Sequence, residues 1–304
     1  MIHSADTPDL EKASIQTITD STLEQNNLRM DVLRLDKIHP IVSGNKWFKL
    51  KYYLEDAKRN GKKGIITFGG PYSNHLVATA YSCMQAGISS IGIIRGEEPV
   101  TYSPTLLDLQ SFGMKLQFCS RQEYEDKPFI LDLKLSNPDL LMIEEGGRGH
   151  RGIKGAGEIL LLQSCKQYSH IICAVGTGTM MAGIINASSP GQQIIGIPVL
   201  KLKSDPDQEI LEYITNNTSS KNFHLQNDFH FGGYAKKNDE LIRFMNSLYD
   251  EYGVPTDFVY TGKLFYGTMK MIEHGFFEAG SNILVIHSGG LQGNRSLPLR
   301  MLHF

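Results

Sequence analysis

Short, nearly continuous apolar runs alternate along this chain with longer stretches whose apolar positions recur at helical spacing. The runs Gly64-Ile65-Ile66-Thr67-Phe68, Ser90-Ile91-Gly92-Ile93-Ile94 and Lys115-Leu116-Gln117-Phe118 predict strands, as do residues 140–143, 170–175, 193–197 and 282–287. Residues 73–86, 104–112, 206–214, 236–252 and 266–274 predict helices. A further helix is expected from the glycine-rich turn after residue 143 to about residue 167. Strands that are apolar throughout, separated by helices, belong to α/β folds with largely parallel sheets, because both sheet faces are then covered. The block from residue 64 to 118 reads as a compact βαβαβ unit. Two α/β domains, the first inserted into the second, fit the pattern.

Composition narrows the class without naming a chemistry. Of the 304 residues, 41% are hydrophobic and 20% charged, which is ordinary for globular proteins. A formal net charge of -2 gives no electrostatic case for nucleic acid or an anionic membrane. No apolar run approaches the ~20 residues of a membrane span. The opening Met1-Ile2-His3-Ser4-Ala5-Asp6 lacks the basic and then apolar segments of a secretory signal. Cys83, Cys119, Cys165 and Cys173 are scattered, with no C-x-x-C pair, and read as reduced thiols of a cytoplasmic protein. The histidines show no metal-ligand spacing, so no metal site is expected.

Several turns carry candidate chemistry. Lys46, in Ser43-Gly44-Asn45-Lys46-Trp47-Phe48, follows a turn and opens an amphipathic helix, where a lysine can be a poised amine. Gly176-Thr177-Gly178-Thr179 follows a buried strand and precedes a helix. Glycines there let backbone N–H groups approach an anion, and the helix N-terminus favours negative charge; an ordinary βα turn is the alternative. No Gly-Lys-Ser/Thr ending supports a nucleotide triphosphate loop. Gly147-Arg148-Gly149-His150-Arg151-Gly152 is a formal G-x-G-x-x-G, so a dinucleotide-binding oxidoreductase is one reading. The next strand, however, ends without the acidic residue that binds a ribose, which favours a flexible or substrate-facing loop. Ser73-Asn74-His75 sits at the mouth of a helix, either as a simple N-cap or as a carboxylate-binding turn. Tyr260-Thr261-Gly262-Lys263 and His287-Ser288-Gly289-Gly290 are small polar turns after strand-like runs. No nucleophile elbow occurs.

As a set, these segments resemble the 1-aminocyclopropane-1-carboxylate deaminase/D-cysteine desulfhydrase family, in register from about Leu33 to about Gly293. The resemblance implies pyridoxal 5'-phosphate and the tryptophan-synthase-β-like fold (fold type II): parallel sheets flanked by helices, with the cofactor between two domains. It places a large domain at residues 1–48 and 143–304, a small domain at 49–142, and commonly a homodimer acting on a small amino acid. By resemblance, Lys46 is the Schiff-base lysine and Asn74 bonds the ring hydroxyl. Ser73 and His75 lie where the substrate carboxylate is held. Gly176, Thr177, Gly178 and Thr179 form the phosphate loop, Thr261 meets the pyridine nitrogen, and Tyr260 precedes it on the substrate side. Where the cyclopropane deaminases have glutamate and leucine, this chain has Thr261 and Ser288, the pattern of the D-cysteine desulfhydrases. The implied reaction is β-elimination from D-cysteine to pyruvate, ammonia and sulfide, with cyclopropane-ring deamination as the alternative. Phe48 stands where an arginine is usual, and Leu33-Arg34-Leu35-Asp36-Lys37 departs from the family's basic-acidic strand.

Overall fold

The computed structural model describes residues 7–200, 213–214 and 222–304. The opening residues 1–6 lie outside them, as does the helix expected at 206–214 apart from its last two positions. The described chain forms two sheets. The larger has the order β1 (Ser14–Ile18), β2 (Arg29–Arg34), β10 (Asn282–His287), β7 (His170–Val175), β8 (Gln193–Pro198) and β9 (Asn222–Leu225). Every pairing in it is parallel except that of β1 with β2. The smaller sheet is parallel throughout, in the order β5 (Met114–Cys119), β4 (Ser89–Arg95), β3 (Gly64–Gly69) and β6 (Leu140–Ile143). The chain thus leaves the larger sheet after β2, builds the smaller one, and returns at β7.

Strand alternation sends successive side chains to opposite faces, and both faces of the larger sheet are buried. Ile171, Cys173, Val175, Leu284 and Ile286 pack against helices Asn45–Arg59, His150–Gly157 and Thr179–Ala187. Ile172, Ala174, Ile195, Ile197, Ile283 and Val285 pack against helix Thr261–Glu273. Phe48 belongs to the first of these layers and is almost wholly buried, so the position where an arginine was expected is an apolar packing site. Arg34 and Asp36 form a bidentate ion pair at 2.7 and 2.8 Å beside His287. This ion pair ties the last residue of β2 to the 3-10 turn that follows it.

Several sequence expectations change. The helix after the glycine-rich turn ends at Gly157, continues as a short 3-10 turn to Leu161, and does not reach residue 167. The edge strands β1 and β9 have no counterpart in the periodicity, because a half-exposed strand lacks a continuous apolar run. The run before Tyr260 is not a strand. There the Asp257 carboxylate accepts from the backbone N–H groups of Val259, Tyr260 and Thr261, which starts the helix at Thr261 rather than at residue 266.

The glycines around 147–157 serve packing. A Cβ on Gly155 would lie 1.8 Å from the Phe48 carbonyl oxygen, one on Gly152 would lie 1.9 Å from the Gly147 oxygen, and one on Gly183 would lie 2.5 Å from the Ile153 oxygen. These contacts let three helices approach closely around the start of the Asn45–Arg59 helix. Gly155→Ala is expected to cost on the order of 1–3 kcal/mol of stability, read as a lowered melting temperature. Gly293→Ala, which meets nothing within 4 Å, should stay within about 0.5 kcal/mol of the wild type.

Candidate active site between the two sheets

A cleft of about 680 Å³ opens between the sheets. Its walls come from the carboxyl ends of parallel strands: Gly70 follows β3, Arg95 ends β4, Glu144 and Glu145 follow β6, Gly176 follows β7, Leu200 lies beyond β8, and Ser288 follows β10. Open parallel sheets place ligands at that end. Lys46, Ser73, Asn74, His75, Gly176, Thr177, Gly178, Tyr260 and Ser288 all line this cleft. Thr179 and Thr261 are buried and do not line it.

Lys46 reaches the cleft through a tight local geometry. Gly44 adopts φ +65°, and a Cβ there would fall 1.9 Å from the Ser288 carbonyl oxygen. That oxygen accepts from the Asn45 N–H at 3.2 Å, so the start of helix Asn45–Arg59 docks on the turn after β10. Lys46 Nζ donates to Asn45 Oδ1 at 2.7 Å and lies 5.7 Å from the centre of the Tyr260 ring. Burial pushes its pKa down to about 8, against the opposing pull of Asp257. One turn along the same helix is Lys49, which sequence reading passed over. Burial and the nearby Lys46 push it down to about 7. The spacing Lys46-x-x-Lys49 was a signal for it, since three residues bring two side chains to one helix face.

The opposite wall is the start of helix Asn74–Ala86. Ser73 is its N-cap, with Oγ accepting from the Leu76 N–H at 3.3 Å, and the residue also lines the cleft. The N-cap and substrate-side readings are thus compatible. Thr67 donates its hydroxyl proton to the Ile143 carbonyl, so His75 Nε2 must be the donor in its 2.9 Å contact with Thr67. Burial and the two lysines push the His75 pKa down to about 3, which leaves a neutral ring whose buried Nδ1 has no partner. His75 therefore offers a lone pair and no positive charge. Asn74 Nδ2 is 3.4 Å from the Gly290 carbonyl, and its Oδ1 is buried without a partner.

The third wall is the turn after β7. The N–H groups of Gly176, Thr177 and Gly178 donate to no protein acceptor among the described residues. Gly178 is left-handed (φ +71°) and opens helix Thr179–Ala187. Thr177 and Thr179 bond one another through their hydroxyls at 2.9 Å. Thr261 is fully buried; its hydroxyl donates to Asp257 Oδ1 and accepts from the Asp257 N–H, both at 2.8 Å. Its proton is committed, and one lone pair remains. Arg95, Glu145 and Tyr234, absent from the sequence reading, complete the mouth of the cleft. Arg95 stands 5.2 Å over the Tyr124 ring and 4.0 Å from Glu145.

These groups fit a phosphorylated aldehyde. Unpaired N–H groups at a helix start, with Lys49 in the same cleft, suit a phosphate; Lys46 is a weakly basic amine; and Asn74 carries an orphaned polar atom. The fold agrees. A structure described as an ACC deaminase homologue superposes over 95% of this chain and 94% of its own, with a TM-score of 0.77 and 25% identity. Threonine deaminase isoform 2 of Solanum lycopersicum, at 16% identity and TM-score 0.67, shares the fold. The architecture is that of a fold type II pyridoxal-phosphate enzyme. The chain belongs to the pyridoxal-phosphate dependent enzyme family, whose model matches residues 22–289. Relatives from Pyrococcus abyssi (31% identity, 83% of this chain and 81% of theirs) and Thermotoga maritima (29%, 89% and 91%) carry the provisional name 1-aminocyclopropane-1-carboxylate deaminase. A Salmonella typhi relative named D-cysteine desulfhydrase is 26% identical over 85% of this chain and 86% of its own.

The depressed pKa of Lys46 has a measurable sign. Its neutral, nucleophilic form gains population as pH rises through about 8, well below the 10.5 of an ordinary lysine. The unfolded chain holds the proton longer, so this group's penalty on folding is relieved between those values. The rate of pyridoxal phosphate uptake by the apoprotein should rise with a midpoint near 8. A midpoint above 10, or the same profile in Lys46→Ala, would contradict this.

Proposed function

We propose that this protein catalyses β-elimination on a small amino acid of the D-cysteine type, yielding pyruvate, ammonia and sulfide with consumption of one water. Pyridoxal phosphate, when bound, supplies an aldehyde that condenses with amines and a conjugated ring that accepts electron density from the substrate's Cα. In this reading Lys46 Nζ is the covalent anchor for that aldehyde. As a free amine it would be basic enough to take the Cα proton near neutral pH. The N–H groups of residues 176–178, with Lys49, hold the phosphate end. Asn74 would bond the ring hydroxyl, and Ser73 with the start of its helix would take the substrate carboxylate. His75, held neutral, leaves that carboxylate to the hydroxyl and N–H donors. Tyr260 and Ser288 close the substrate side.

The observation that carries the choice of substrate is Thr261. A hydroxyl is a far weaker base than a carboxylate, so it holds the ring nitrogen protonated less firmly. The electron sink is then modest and suits a good leaving group. A thiolate, with a thiol pKa of about 8.5, qualifies; an unactivated cyclopropane carbon does not. A second reading, ring-opening of 1-aminocyclopropane-1-carboxylate, has its own support. The Thr261 hydroxyl leans on the buried Asp257 carboxylate, which makes its oxygen a better acceptor than an isolated hydroxyl, and the Pyrococcus and Thermotoga relatives carry that name.

Product analysis separates the two. The holoenzyme with D-cysteine should give pyruvate and sulfide in equal amounts, and Lys46→Ala should lose at least about a thousandfold in rate. Release of 2-oxobutanoate from the cyclopropane substrate, with no pyruvate from D-cysteine, would establish the second reading.

A further inference from the structure

Lys263 is a buried cation outside the cleft and away from the surface. Lys263 is wholly excluded from solvent and sits at the third position of helix Thr261–Glu273, where the N–H groups of a helix start disfavour positive charge. Its Nζ donates to three backbone carbonyls: Gly233 at 2.7 Å, His230 at 2.9 Å and Val199 at 3.3 Å. An ammonium has three donors, so all are used. Among the described residues no carboxylate lies within ion-pairing distance of it. Rings of carbonyl oxygens around a compact cation are the coordination that proteins offer potassium.

The three carbonyls come from two separate segments. Val199 extends β8, its N–H donating to the Val175 oxygen at the end of β7. His230 and Gly233 bracket a turn with an unusual backbone: Phe231 at φ +53°, Gly232 at +90°, Gly233 at +115° and Ala235 at +53°. Non-glycine residues hold such conformations only where their surroundings enforce them. His230 O and Gly233 O also accept from the Gly233 and Lys236 N–H groups, at 2.9 and 3.1 Å. Their remaining lone pairs therefore converge on Nζ. The same turn carries Gly232, Gly233, Tyr234 and Lys236 to the mouth of the cleft.

We propose that Lys263 is a positioning residue that acts as a tethered monovalent cation. Its ammonium occupies a carbonyl-lined site between β8 and the 230–233 turn, and so pins Tyr234 at the cleft. Removing the side chain leaves a site that potassium or ammonium ions can fill. This goes beyond the choice of substrate and does not depend on it.

The test compares the full-length wild type, Lys263→Ala and Lys263→Met, each saturated with pyridoxal phosphate. Thermal midpoint and amide hydrogen exchange of residues 230–236 are followed in potassium, ammonium and tetramethylammonium chloride at equal ionic strength. The wild type should be indifferent to the salt. In tetramethylammonium, Lys263→Ala should melt earlier and exchange the turn amides faster by about tenfold or more; potassium or ammonium should restore both. Lys263→Met fills the space with an uncharged chain and should show the loss without salt-specific recovery. The proposal is overturned if Lys263→Met matches the wild type, if Lys263→Ala is unaffected, or if it responds alike to all three salts, failure to fold in each included. Neither readout involves substrate turnover, so failure here is separable from failure of the β-elimination reading.

Discussion

The close passage of Gly44 against the Ser288 carbonyl is the constraint on which the site depends. A side chain at residue 44 would collide with that carbonyl at 1.9 Å, and the positive φ of Gly44 turns the chain into the Asn45–Arg59 helix. Two consequences follow from this one contact. The helix start sits on the end of β10, so Lys46 enters a cleft whose far wall belongs to the smaller sheet. The turn after β10 is held in place as well, and its Gly290 carbonyl reaches Asn74 across the cleft. Helix His150–Gly157 then fixes the helix from behind, through glycine contacts that leave no room for a side chain.

Within that frame the electrostatics divide the cleft into ends of different character. Burial lowers the pKa of both Lys46 and Lys49, one turn apart, and Lys46 lowers that of Lys49 further. Their field also keeps His75 neutral. Two weakly basic amines beside unpaired N–H groups make one end attractive to an anion and reactive toward an aldehyde. At the floor, Asp257 is satisfied by three backbone N–H groups and the Thr261 hydroxyl, so its charge starts a helix. Its charge also acts across the cleft on Lys46, whose pKa it raises against the effect of burial. Lys263, two residues further, places a cation on the opposite side of the same helix start.

The parts of the fold legible in the sequence were those with a strong local signature. The apolar strands β3, β4, β7, β8 and β10 declare themselves because both faces are buried, and the glycine-rich ends of β3, β7 and β10 mark the cleft. The edge strands β1 and β9 are half exposed and leave only weak alternation. Lys46 and Gly176 were legible as turn residues, and the cleft brings them together with Ser73, Asn74, His75, Tyr260 and Ser288. Arg95, Glu145 and Tyr234 were not, because each is an ordinary residue until the second sheet is folded against the first. The Gly147–Gly152 segment shows the limit of motif reading: its spacing fits a dinucleotide loop, yet Gly152 is explained by the Gly147 carbonyl that passes within 1.9 Å of where its side chain would be. Thr261 was legible as an uncharged residue but not as one whose proton is already committed to Asp257.

In the proposed reading Lys46, rather than its neighbour Lys49, carries the cofactor. Borohydride reduction of the pyridoxal-phosphate-loaded protein, followed by peptide mass mapping, tests it most directly. One reduced cofactor per chain is expected, attached to Lys46, with Lys49 unmodified. Attachment at Lys49, or no stable adduct after loading and reduction, would contradict it.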